Sequence, residues 1–189
     1  MTSVIDQIDR ALDMAAAIVK NITGNRLAAP TPCEGWDVRR ELNHLVGGMR
    51  IFAAELSGTA AGADHDSDWL GEDPRGAYTV AADLDREAWH RPGVLARTVR
   101  LGFGAVPAPM AAQIHLTEVL AHSADLALAT GQEALADSQL CEELLTILHG
   151  VDFGPFRQPG MFGPEVTIAP GAPACRRLLA FLGRDLGPR

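Results

Sequence analysis

Apolar residues recur at three- and four-residue steps near the start of the chain, and this spacing places them on one face of an α-helix. The first helix is predicted from Val4, Ile8, Leu12, Ala15, Val19 and Ile22. After a stretch broken by glycine and proline, Asp37 is suited to cap a second helix over about 38–57. Its apolar stripe is Val38, Leu42, Leu45, Met49, Phe52 and Leu56. These faces are typical of a helical bundle.

Four later segments extend the helical prediction. Residues 78–90 favour a third helix, and 108–130 favour a long fourth helix that stops at Gly131. Shorter helices are predicted over about 137–150 and 173–184. Four of the six helices are long enough to form the core, so we expect an all-α, four-helix bundle with short additional helices.

The connecting segments have a different composition. Residues 57–74 are rich in Gly, Ala, Asp and Ser and indicate a surface loop, while 93–107 suggest a short extended pair or an irregular loop. Residues 151–173 form a long C-terminal loop, of a length that often lines a functional site. We expect residues 1–189 to form a single domain.

The charge and hydropathy of the chain disfavour two classes of partner. The 189 residues carry a formal net charge of −8, and the basic residues are scattered, so we expect no nucleic-acid binding. No apolar run approaches the roughly 20 residues that cross a bilayer, so we expect no membrane partner. The first residues lack a secretory pattern, and we expect a cytoplasmic protein. Its three cysteines, Cys33, Cys141 and Cys175, form no CxxC pair and are expected to be reduced thiols.

Four ionisable residues lie along one lane of the predicted fourth helix: His115, Glu118, His122 and Asp125. Side chains at i and i+4 are adjacent on a helix, so Glu118 and His122 can both reach one metal ion. His44 is the best candidate for a third ligand, because it lies off the apolar stripe of its helix, on a lane that contains a glycine. The spacing alone also allows plain salt bridges, core histidines or solvent-exposed groups.

Three stretches resemble the mycothiol-dependent maleylpyruvate isomerase N-terminal domain, a part of the DinB-like metalloprotein superfamily. They are "PTPCEGWDVRRELNHLVGG" at 30–48, "LTEVLAHSADLALATGQ" at 116–132 and "FGPEVTIAPGAPACRRLLAFLGRD" at 162–185. The resemblance implies a four-helix bundle with a divalent metal, usually zinc, at one end of its core.

The same resemblance implies that His44, Glu118 and His122 are the metal ligands, with a fourth position open to water or substrate. Asp125 matches the family pattern, and we expect it to orient or electrostatically support the site. His115 is a further candidate for such support. The family often has a tryptophan before this aspartate, where the chain has Ala124, which implies a different pocket shape.

Relatives in this family use the metal to activate mycothiol, a low-molecular-weight thiol. The resemblance therefore implies a transferase or isomerase in which a thiol attacks a small electrophile. Two alternatives use the same ligands: a metal-binding or stress protein without turnover, and a biosynthetic enzyme with another metal-assisted step. The expected partners are a small-molecule thiol and an electrophilic substrate, and a homodimer is an option.

Two further sets of residues have side chains suited to chemistry. Cys33 precedes a helix N-terminus and is a rival nucleophile, although a buried cysteine that packs a turn is the plainer interpretation. Arg97 and Arg100 flank the stretch before the fourth helix and suit an anionic substrate or a solvated surface.

Overall fold

The computed structural model describes residues 2–102, 104–158 and 160–186, which form six α-helices, one hairpin and several short 3-10 turns. The helices are α1 (Val4–Lys20), α2 (Val38–Ser57), α3 (Pro74–Trp89), α4 (Ala108–Thr130), α5 (Ser138–His149) and α6 (Ala174–Phe181). The strands β1 (Thr98–Leu101) and β2 (Gly104–Pro107) pair antiparallel, so the extended pair, rather than an irregular loop, occupies this stretch. The predicted all-α fold is confirmed.

Side-chain caps explain where the first two long helices begin. Ser3 accepts from the backbone N–H of Asp6 while the Asp6 carboxylate accepts from the backbone N–H of Ser3, so two free donors of α1 are satisfied. Asp37 accepts from the backbone N–H of Arg40 at 2.8 Å and starts α2, as its position in the sequence predicted. At its other end, α4 stops at Gly131, whose φ of 73° is left-handed.

The core of the bundle lies among α1, α2, α3 and α4. Helix α2 packs against α3 and α4, and α1 packs against the same two helices. Helix α4 is covered by α1, α2, α6 and the hairpin, so buried residues occur on every side of it rather than on one stripe. This burial explains why its ionisable side chains need partners inside the protein.

A disulfide between Cys141 and Cys175 joins α5 to α6, so the expectation that all three cysteines are reduced was wrong for these two. Their Cα atoms are 5.1 Å apart although 34 residues separate them in sequence. Helices α5 and α6 pack against each other, and this tertiary contact, which no short motif encodes, brings the thiols together. Cys33 is the free cysteine.

The long C-terminal loop is held against the bundle by aromatic contacts. Phe153 packs against Phe156, Phe162 and Phe181, with ring centroids between 5.1 and 5.3 Å apart. Arg157 lies over two of these rings and donates to the backbone carbonyl of Phe181 at 3.0 Å. Within the described residues, no helix combines the length and apolarity needed to cross a membrane.

Candidate metal centre

Helices α2 and α4 bring the three predicted ligands together. His44 Nε2 lies 3.3 Å from Glu118 Oε2, and His122 Nε2 lies 3.4 Å from the same oxygen. One ligand atom from each residue lies within 4.8 Å of the other two. The i, i+4 spacing on α4 sets one contact, and the packing of α2 against α4 supplies the other.

These distances fit a metal ion. Four ligands arranged tetrahedrally about zinc, each about 2.0–2.1 Å from the ion, are separated by about 3.3–3.4 Å from one another. The two distances from Glu118 Oε2 match that separation. Two imidazoles and one carboxylate are also a donor set that zinc accepts, and they leave one tetrahedral position free.

Glu41 is a site residue that the sequence reasoning missed. It is fully buried, and its Oε1 atom lies 2.8 Å from Nδ1 of His122. A carboxylate that accepts from Nδ1–H fixes the ring so that the Nε2 lone pair faces the ion. Glu41 is three residues before His44 on α2, so the helical spacing could have indicated it.

Asp125 lies deeper in the same cluster. Its Oδ2 atom accepts from Nε of Arg184 at 2.9 Å and is 4.0 Å from Nδ1 of His122. Asp125 is fully buried and Arg184 is 8% exposed, so this hydrogen bond lies inside the protein. The contact ties the segment that contains Arg184 to the face of α4 that carries His122.

The electrostatics of the cluster favour a cation. Burial disfavours the charged form of His122, but hydrogen bonds to Glu118 and Glu41 outweigh it and raise its pKa to about 10. Burial also disfavours ionisation of Glu118, yet the hydrogen bonds with His122 and His44 hold its pKa well below the ordinary value. Burial, followed by the charge of Glu41, raises the pKa of Asp125 well above its ordinary range. Carboxylates that hold a proton on an imidazole also favour a divalent cation, which replaces that proton.

His115 contacts residues of α2 and α3 rather than the three predicted ligands. Its Nε2 atom lies 2.7 Å from Oδ2 of Asp85 on α3, and its ring packs against Phe52 and Trp89. Seven residues separate it from His122, and this is about 10 Å along a helix. His115 therefore lies about two helical turns from His122 along α4, where it forms a separate buried pair with Asp85 of α3.

Two loops cover the ligand histidines. The Trp36 ring stacks on the His122 ring at 5.7 Å and meets the His44 ring edge-on at 4.8 Å. On another side, the His65 ring lies 4.3 Å from the His44 ring. Burial raises the pKa of the nearby Cys33 thiol to about 12, which opposes the nucleophile hypothesis for that residue.

A cavity of about 430 Å³ opens beside Glu118 and His65, so the candidate metal centre borders a space large enough for a small molecule. Arg100 also lines this cavity. Arg97 is not among the described residues that line this cavity, and its guanidinium donates to the backbone carbonyl of Leu56.

Sequence comparisons group the chain with known proteins. Residues 8–127 match the family described as the mycothiol maleylpyruvate isomerase N-terminal domain. Two uncharacterized proteins of Mycobacterium tuberculosis, one from each of two strains, are 33% identical to this chain over 178 residues. The matches cover 94% of this chain and 95% of each relative.

Two crystal structures of the mycothiol-dependent maleylpyruvate isomerase, one of them a histidine-to-alanine variant, share the fold. Their TM-scores are 0.54 and 0.55 at 14% and 13% sequence identity. The alignments cover 66% of this chain and 61% of the isomerase chain, so this chain matches less than two thirds of that enzyme. The likeness confirms the expected DinB-like fold. By its sequence match, the chain belongs to the mycothiol maleylpyruvate isomerase N-terminal domain family.

Proposed function

We propose that the chain holds a divalent metal ion, with zinc as the preferred ion, and that it uses a small thiol to transform a small electrophile. The observation that carries this proposal is the position of Glu118 Oε2, 3.3 Å from His44 Nε2 and 3.4 Å from His122 Nε2, since these separations match those between ligands of a tetrahedral zinc site. When bound, a divalent cation stabilises a thiolate over a thiol and so makes a nucleophile at neutral pH.

The residues around the ligands have separate tasks in this proposal. Glu41 holds the Nδ1 proton of His122 and fixes the orientation of that ring. Trp36 packs against both ligand histidines and keeps water from that side. The cavity beside Glu118 then gives the reactants access from the other side.

The family match supports mycothiol as the thiol, and transfer or isomerisation as the reaction class. The cavity favours turnover over simple sequestration of metal, because a storage site has no use for a space of about 430 Å³ beside a ligand.

Metal analysis of the purified protein tests the metal centre. We expect about one equivalent of zinc in the wild type, and a large loss in His44→Ala and His122→Ala. His90→Ala is the matched control, since this histidine forms an exposed pair with Asp9 on the surface of the bundle. Equal metal content in all four proteins would rule out the site.

Titration of the cobalt-substituted protein with mycothiol tests the thiol. We expect a sulfur-to-cobalt charge-transfer absorption that saturates with mycothiol, and none with an alcohol analogue that lacks the sulfur. A full complement of metal without any spectral response to thiol would leave a metal-binding protein and refute the thiol chemistry.

A further inference from the structure

The cavity beside the candidate metal centre has an apolar lining. It lies between α2, α4, the end of α5 and the C-terminal loop, with the turn of the hairpin at one edge. Representative lining side chains are Ile51, Phe52, Ile114, Leu148, Phe153 and Phe162. Its volume of about 430 Å³ is within the range of small-molecule sites in proteins.

Apolar side chains at the cavity are also unusually exposed. Met110, Val151 and Met161 line it, and they are 43%, 52% and 44% exposed. They come from two different parts of the chain, since Met110 is on α4 and the other two are in the long C-terminal loop, yet they converge on one cavity. Exposed apolar surface that is gathered in this way typically marks a binding site, because a ligand that covers it gains free energy in proportion to the area.

The polar groups of the lining are few and lie mainly on α4. Glu118 connects the cavity to the ligand cluster. The Thr117 hydroxyl donates to the backbone carbonyl of Gln113 and is thereby occupied. In contrast, Nε2 of Gln113 is buried with no hydrogen-bond partner among the residues that the structure describes. A buried amide donor without a partner is costly, and an acceptor atom on a ligand would satisfy it.

This pattern discriminates between substrate classes. Arg100 is the one arginine or lysine among the described residues that line the cavity, so a dianionic molecule would lack a second fixed positive charge there. A strongly hydroxylated molecule would bury hydroxyl groups against phenylalanine and isoleucine without partners. An alkyl or aryl group with one acceptor atom fits both the apolar wall and the buried, unpaired donor of Gln113.

We propose that the cavity binds the apolar part of the electrophilic substrate, an alkyl chain or aromatic ring, with one acceptor atom of the substrate taken by Nε2 of Gln113. That the bound molecule is a substrate rests on the proposed function. The binding of an apolar molecule requires only the cavity. The substrate class is therefore an apolar electrophile with a single polar end.

Competition binding to the metal-free protein tests the cavity separately from the metal centre. The probe is 1-anilinonaphthalene-8-sulfonate, displaced by straight-chain alcohols from butanol to octanol. We expect affinity to rise about fourfold for each added methylene group, since each buries similar apolar area. Val151→Asp should weaken octanol binding about tenfold or more, because it places a carboxylate at the apolar wall.

Val80→Asp is the matched control, since Val80 is 49% exposed on α3 and does not line the cavity. Helical circular dichroism and the thermal midpoint of each variant establish that it is folded. Gln113→Leu provides the second arm: it should weaken hexanal, which offers an acceptor, more than hexane.

Three results would overturn the proposal. They are equal octanol affinity in Val151→Asp and Val80→Asp, no dependence of affinity on chain length, and a Val151→Asp variant that turns a dimer into a monomer. The last result, seen by analytical ultracentrifugation, would assign the apolar surface to a second copy of the chain. Zinc content measured on the same variants separates a failed cavity from a failed metal centre.

Discussion

Glu41→Gln is the change that tests most sharply how the candidate site works. It leaves all three predicted ligands in place and removes only the charge that faces Nδ1 of His122. That contact is 2.8 Å long, and the side chains are 0% and 6% exposed, so water cannot substitute for the carboxylate.

The size of the effect follows from the position of Glu41 behind a ligand. Loss of a carboxylate that orients a metal-bound histidine lowers metal affinity by about 10- to 100-fold, or about 1.4–2.7 kcal/mol. Glutamine is close in size to glutamate, so the core packing is preserved. Glu118→Gln removes a ligand itself and should weaken zinc binding further than Glu41→Gln does.

Competition with a zinc chelator at pH 7 measures these affinities, and Glu87→Gln is the control because that side chain is 73% exposed. We expect the order wild type equal to Glu87→Gln, then Glu41→Gln, then Glu118→Gln. Wild-type zinc affinity in a folded Glu41→Gln protein would refute the reasoning, since the buried contact would then have no part in holding the metal.

Three further changes probe the surroundings of the site. Because the pKa of the Cys33 thiol is raised to about 12 from 9.0, this thiol should be ionised about a thousandfold less than an ordinary cysteine. Iodoacetamide at pH 8 should therefore alkylate it slowly in the folded protein and rapidly in urea. Substitution of both Cys141 and Cys175 by serine should lower the free energy of unfolding by about 3–4 kcal/mol, because the disulfide closes a loop of 34 residues in the unfolded chain. Urea denaturation measures this change, and an unchanged midpoint would contradict the disulfide. His115→Leu should cost about 3–5 kcal/mol of stability, because it leaves the buried Asp85 carboxylate without this partner, while zinc content stays at the wild-type level. Loss of zinc from a folded variant would return His115 to the metal centre.

Local sequence patterns predicted the helices that carry the site. The apolar stripe and the Asp37 cap were sufficient to predict α2 and its first residue. Gly131 was sufficient to predict the C-terminal end of α4. The pairing of Glu118 with His122 also follows from helical geometry alone. These features depend on residues within a few turns of one another, and such features are encoded locally.

Long-range contacts account for what the sequence did not reveal. Glutamate is a residue type that usually lies at the surface, and the packing of α2 on α4 is what buries Glu41 against His122. The disulfide depends in the same way on the contact of α5 with α6. The pairing of His115 with Asp85 could not be read from the sequence, because a shared face fixes the direction of a side chain around the helix but not its height along the helix axis.

The apolar cavity is a further product of tertiary structure. Its wall combines side chains from two helices with the loop that contains Phe153 and Phe162. The length of that loop indicated a functional site. Which of its residues form the cavity wall depends on how its aromatic side chains pack, and the sequence pattern does not show this.

The central claim is that three side chains from α2 and α4 hold one divalent ion, and a crystal structure of the zinc-loaded protein with anomalous data at the zinc edge tests it most directly. The account predicts one anomalous peak within about 2.0–2.2 Å of His44 Nε2, His122 Nε2 and a carboxylate oxygen of Glu118. Stoichiometric zinc bound at any other place in the protein would contradict it.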